Sequence, residues 1–236
     1  MNTTLITALW RQRLASPVRL VLLGTLFGIP LLPILFMQGA GFSVLGNSQG
    51  LVLVLGAGMI GQDVSSGVLQ LIYARPVRRP EYVVSRWLGV AFAGSALSLL
   101  QVALASGFMA AHGAPPAARD AVMFAGARVL ESFGLAAVLA LLSSLVGGFG
   151  DLALYLVCNM GAGLVQGVGS FKHWPPIERL GAEILGSMMP TIDLGRLIEA
   201  TPMPWYPVVA YASTVALCLA LAMVAVNRQE LSYASG

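Results

Sequence analysis

The chain has 236 residues and a net charge of +3; 57% of the residues are hydrophobic, only 10% are charged, and the mean hydropathy is +0.82. Soluble domains carry about 25% charged residues, so a water-facing fold is excluded for want of charge, and an integral membrane protein follows. The length suits a single transmembrane domain over residues 1–236 and leaves no room for a soluble nucleotide-binding unit.

In chain order, "LITALWRQRLASPVR" sets Leu5, Ile6, Leu9 and Trp10 near one helical face, with Arg11 and Arg13 beside it. That pattern predicts an interfacial elbow helix over residues 1–16, with a plain cytosolic extension of the first span as the other reading. A basic start, an apolar stretch and a small-residue cleavage site do not occur there together, so no cleavable signal peptide is expected. A hydrocarbon core about 30 Å thick needs about 20 apolar helical residues. The first span is expected over 18–37, loosened in its outer half by Pro30 and Pro33. The second is expected over 42–61, with polar Asn47, Ser48 and Gln49 near one end. The remaining spans are expected over 84–111, 121–147, 152–170 and 206–226, which makes six. Cys158 and Cys218 fall inside apolar runs and read as small packing residues, not as a disulfide framework.

With six crossings both termini share a side. That side holds Arg11, Arg13, Arg19, Arg75, Arg78, Arg79, Arg86 and Arg228, eight basic residues, against five on the other: Arg119, Arg128, Lys172, Arg179 and Arg196. The excess puts the loop 62–82 and both termini in the cytoplasm. The extracytoplasmic loop 171–205 is not disordered in composition: Ile177, Leu180, Ile184 and Leu185 recur at helical spacing after Pro175 and Pro176, with Glu178 in the first turn. A second short helix is expected over 191–200. Such segments lie on the outer interface or dip back into the bundle.

Chemistry is sparse. There are two histidines, His112 and His173, and no H-E-x-x-H, G-x-S-x-G or Walker-type glycine loop. Hydrolysis or phosphoryl transfer by this chain alone is not expected, and neither is nucleic-acid binding. Met188, Met189, Met203 and His173 offer soft ligands that suit copper, but methionines in apolar segments ordinarily pack, so no metal site is expected. Arg128 and Glu131, spaced i, i+3, can pair on one helical face. They read either as a self-neutralising pair near the outer headgroups or as a gating or substrate contact. Asp151, in the turn "GGFGD", is expected to cap the fifth helix.

The most polar long stretch, "DVSSGVLQLIYARPVRRPEY", lies between the second and third spans. Val64, Val68, Leu71 and Ile72 share one helical face, and Gly67 permits close approach of a neighbouring backbone. Pro76 ends that helix; Pro80 and Glu81 suit the start of the next. Composition leaves two readings open: a stiff knob carrying Arg75, Arg78 and Arg79 that transmits force to a partner, or an ordinary basic loop.

The run "GQDVSSGVLQLIYARPVRRPEYVVSRWLGV" resembles the signature stretch of the ABC-2 type transporter permeases. In that family an acid precedes a glycine by four, and an apolar stretch leads to Pro, one residue, a small or basic residue and Arg, before a third span opened by a basic residue. Here these are Asp63, Gly67, the apolar Leu69, Leu71 and Ile72, then Pro76, Arg78, Arg79 and Arg86. The family more often has glutamate within a more acidic cluster where this chain has Asp63. In the outer loop, "MPTIDLGRLIE" is similar to the family's Asn-Pro, Asp, Arg-Leu pattern, with Met189 where asparagine is usual.

The resemblance implies an all-α, six-span ABC-2, or type V, exporter-like fold in a bacterial-type cytoplasmic membrane. It implies a permease chain paired with a second permease chain, the same or related, and with two separate ATPase subunits. Asp63, Gly67, Leu71, Arg75, Pro76, Arg78 and Arg79 would then be the ATPase-coupling residues. ATP and Mg would be bound by the partner, leaving this chain without catalytic residue or cofactor. The family's substrates include drugs, lipids, polysaccharides and peptides. A stand-alone secondary transporter or channel, or a membrane-embedded enzyme or assembly scaffold, are the competing classes; the first predicts intramembrane charges and repeated halves.

Overall fold

The computed structural model describes residues 3–37, 39–46, 48–67, 78–199 and 204–233. Every regular element among these is helical, and five stretches are long and apolar enough to cross a membrane: Phe42–Ser65, Arg79–Ala111, Ala118–Leu145, Gly150–Phe171 and Tyr206–Arg228. The chain is thus an α-helical membrane-embedded protein.

The expected elbow is α1, Thr3–Leu14. Ile6 and Leu9 are buried, and the Trp10 indole donates to Gly89 O at 2.8 Å. The expected first span divides at Pro30 into α2, Pro17–Gly28, and α3, Leu31–Phe36, because proline brings no N–H to the helical ladder. The expected second span is also interrupted. It consists of a 3-10 turn at Phe42–Leu45, then α4, Gln49–Gly56, and α5, Gly61–Ser65.

The expected third span is the first long unbroken helix, α6, Arg79–Ala111; it begins earlier than expected, with Arg78 at its N-cap and Pro80 and Glu81 in its first turn. Its 33 residues extend about 50 Å, well beyond a hydrocarbon core of about 30 Å. The α2–α3 pair lies along it. Gln101 of α6 donates to Phe27 O at 2.9 Å, and His112, at its far end, donates to Leu35 O at 2.9 Å. From Gly89, met by Trp10 of α1, to His112 is about 34 Å of helix, so the chain from α1 through α3 runs along most of α6, with α2 and α3 themselves meeting it from Gln101 to His112.

The centre is α7, Ala118–Leu145. Its run from Gly134 to Ala140 is buried and largely of small residues, which lets neighbouring backbones come close. The short α4 lies in the groove between α6 and α7: a Cβ on Gly56 would meet Leu139 Cδ1 at 2.6 Å, and one on Gly94 would meet Val52 Cγ2 at 2.8 Å. Then follow α8, Gly150–Phe171, α9, Pro175–Met188, α10, Leu194–Glu199, and α11, Tyr206–Tyr233.

The two outer-loop helices form where the sequence predicts them, and they dip inward. α9 turns back along α8, with Gly181 against the backbone of Gln166 and Gly169 against that of Glu178. The chain reaches the level of Gly134, near the middle of α7, where Pro190 O would lie 2.6 Å from an added Cβ. α10 then returns: Leu194 packs on Gly126, and Glu199 pairs with Arg119 at 3.3 Å near the start of α7.

Candidate functional site

Polar groups in an apolar interior need partners, since an unpaired backbone N–H or C=O there costs several kcal/mol. The gap between α4 and α5 creates several such groups, and the surrounding helices meet them. Gly58 has φ +68 and turns the chain out of α4, a conformation glycine adopts without strain. Its N–H donates to Asp151 Oδ2 at 2.6 Å. The hydroxyl of Ser143, on α7, accepts from both Ile60 N–H at 3.0 Å and Gly61 N–H at 2.9 Å. Gly148 N–H, in the turn between α7 and α8, donates to Gly61 O at 2.8 Å. Arg13, from α1, donates to Ala57 O. Four separate segments therefore secure one interruption, which makes it a built joint.

One expectation is extended and one overturned. Asp151 is fully buried in the first turn of α8, with Phe149 at the N-cap; its Oδ1 accepts Leu152 N–H at 2.8 Å, a first-turn donor of that helix, while its Oδ2 reaches across to Gly58. Arg13 does not lie beside the apolar face of α1 but continues it inward, 2% exposed. Burial, with Arg19 and Arg86 acting the same way against Asp63 and Asp151, pushes its pKa down to about 10. It stays cationic at neutral pH.

Below the joint sits a second buried group. Asp63, on α5, accepts from the Tyr82 hydroxyl at 2.6 Å and pairs with Arg86, whose guanidinium also lies 5.4 Å from the centroid of the Tyr82 ring. Tyr82 and Arg86 are one turn apart on α6, so α5 and α6 are clamped together at the two ends of the loop 68–77. Leu71, Arg75 and Pro76 of the expected coupling set lie outside the described residues, as do Val68, Leu69 and Ile72. Of the rest, Gly67, Arg78 and Arg79 fall at the loop's base. Gly67 is exposed with φ +71, which turns the chain after α5. Arg78 is exposed, and Arg79 faces Asn227 near the end of α11 at 3.4 Å. Asp63 points into the protein, not toward a partner.

At mid-depth, Arg128 and Glu131 pair at 3.3 Å. Glu131 lies roughly 20 Å along α7 from its start, and both residues are buried against neighbouring helices. Glu131 Oε2 also accepts Ser48 N–H at 3.1 Å, at the N-terminal end of α4, while Ser132 Oγ approaches Ser48 Oγ at 3.5 Å. Arg128 stacks over the Phe124 ring at 4.6 Å to its centroid. Each partner keeps one buried atom without a hydrogen bond, Arg128 Nη2 and Glu131 Oε1. Alongside, Gln49 donates to the Tyr155 hydroxyl at 2.7 Å, tying α4 to α8. The α4 segment is thus held by polar contacts at both ends, from Glu131 above and from Ser143 and Asp151 below. Met188 and Met189 pack on the main core, at the opposite end of α9 from the exposed His173; Met203 lies outside the described residues.

Residue patterns singled out Arg128 and Glu131, and the family resemblance Asp63, but neither pointed to Arg13, Tyr82 or Ser143. One signal for Arg13 was present: it continues the 3-4 spacing of Ile6 and Leu9. Compared with family models, curated proteins and solved structures, the chain matches none.

Proposed function

We propose that this chain is the permease subunit of an ABC-2 type, ATP-driven exporter with six spans, the sixth being the α2–α3 pair. Two permease chains, identical or related, sit in a cytoplasmic membrane above two ATPase subunits, and the loop at 62–82 and both termini face the cytoplasm. ATP and Mg belong to the partner, which carries out hydrolysis. The observation that carries the reading is the clamp of Asp63, Tyr82 and Arg86 beneath the joint at Gly58. The clamp ties α5 to α6 on either side of residues 68–77, and α5 is joined to the bundle through the short interrupted helix. Force applied to the loop is delivered to α4 and α6 together, as alternation between two packed states requires.

The test is co-purification from native membranes in mild detergent. Wild-type chain is expected to retain an ATPase in equal amount, whereas R78E combined with R79E loses it while the permease remains folded. Undiminished retention by that variant would remove the coupling role from the loop's base.

A stand-alone secondary transporter is the second reading, favoured by the interrupted helix and the buried Arg128–Glu131 pair, both of which occur in that class. Reconstituted alone, such a protein moves substrate on an ion gradient without ATP. A permease subunit does not.

A further inference from the structure

A cleft of about 410 Å³ opens where the α1–α2 corner faces the turn between α7 and α8. Its polar lining is Arg19, Gln12, Ser16 and Gln62; Leu22 and Phe149 form apolar walls. The Arg19 guanidinium lies 5.3 Å from the Phe149 ring centroid and 3.5 Å from Gln62 Oε1. None of the ion pairs among the described residues includes it.

The neighbouring charges leave it in surplus. Arg13, Arg19 and Arg86 gather around two carboxylates, Asp63 and Asp151. Three arginines around two carboxylates leave one positive charge in excess. Arg13 and Arg86 are buried, so Arg19, half-buried and lining the cleft, is where that charge meets an incoming ligand, in a partly desolvated site that favours an anion.

The surroundings say which anion. Arg11 and Gln12 are exposed on one side of the cleft, while Val18 and Val21 beside it are 67% and 68% exposed. Polar gives way to apolar surface at this level, as it does where headgroups meet acyl chains. A free phosphate uses only the guanidinium; a phospholipid also covers the apolar walls. We propose that this cleft binds the phosphate of an anionic phospholipid, with an acyl chain along Leu22 and Phe149. Because Ala57 and Gln62 line the same cleft, the bound headgroup touches the chain on both sides of the Gly58 joint and props it. The proposal requires a membrane-embedded chain and is independent of the transporter reading.

The experiment is native mass spectrometry of the full chain released from nanodiscs of phosphatidylcholine with or without phosphatidylglycerol, alongside thermal unfolding in the same lipids. Wild type is expected to keep a phosphatidylglycerol at collision energies that strip phosphatidylcholine, and to unfold at higher temperature when it is present. R19Q should bind it about fivefold more weakly, R19K should retain most of the preference, and R11Q, at an exposed arginine outside the cleft, should match wild type. Equal retention of the two lipids by wild type overturns the proposal without any variant. So does an unchanged preference in R19Q, or stabilisation by inorganic phosphate in pure phosphatidylcholine that equals the effect of phosphatidylglycerol.

Discussion

Asp63 carries an acid's charge inside a membrane protein, and its two partners account for its survival there. The Tyr82 hydroxyl and the Arg86 guanidinium occupy its Oδ2, and the pair is almost excluded from solvent. Breaking a buried pair on one side strands a charge and costs about 3–5 kcal/mol, whereas removing both charges costs far less. D63N and R86M are therefore each expected to lower the unfolding temperature of the purified protein sharply, and the double variant to recover more than half of that loss. Scanning fluorimetry in one detergent measures all four proteins. Additive losses would mean that the two residues act separately and that no clamp exists.

At the scale of the element, the informative piece is the interrupted second span. Two positive-φ glycines, Gly58 at the break and Gly67 just after α5, face different surroundings: a Cβ at Gly58 would lie 2.9 Å from Gly148 O, while nothing described lies within 4 Å of one at Gly67. A non-glycine residue in that conformation costs roughly 1–2 kcal/mol by itself, so G67A should cost about that and no more. G58A adds a clash with backbone and pushes at the bond between Gly58 N–H and Asp151. It is expected to unfold at clearly lower temperature than G67A, and to expose α5 to limited proteolysis. Equal melting of the two variants would show that the joint tolerates displacement. Hydropathy could not have located this break, because "LGAGMI" around Gly58 is as apolar as an unbroken span. Its glycines permit an interruption, but the groups that make one stable, Ser143 and Asp151, lie more than 80 positions away. The helices α6, α7, α8 and α11 were legible for the opposite reason, since a long apolar run fixes its own backbone bonds and needs no distant partner. The direction of Asp63 was obscured by its polar neighbours in sequence, and the inward dip of α9 because amphipathic spacing predicts a helix without fixing its depth.

For the whole molecule, the number of crossings decides which ends share a side. α2 and α3 are individually too short to span, yet with Trp10 of α1 at Gly89, Phe27 at Gln101 and Leu35 at His112 the chain from α1 through α3 follows α6 for about 34 Å. At the same pole as α1, Arg79 meets Asn227 near the end of α11. A sixth crossing by the α2–α3 pair puts Gln12, Gly67 and Arg228 on one side of the membrane and Lys172 on the other. With Cys158 and Cys218 first replaced by alanine, Q12C, G67C, K172C and R228C each offer a single thiol to a membrane-impermeant maleimide in intact cells. K172C should label at once, and the other three only after the membrane is opened. Labelling of Q12C from outside, with G67C and R228C protected, would mean that α2 and α3 do not carry the chain across and that five crossings suffice. Labelling of G67C from outside with K172C protected would invert the whole orientation and take the loop at 68–77 away from any cytoplasmic ATPase.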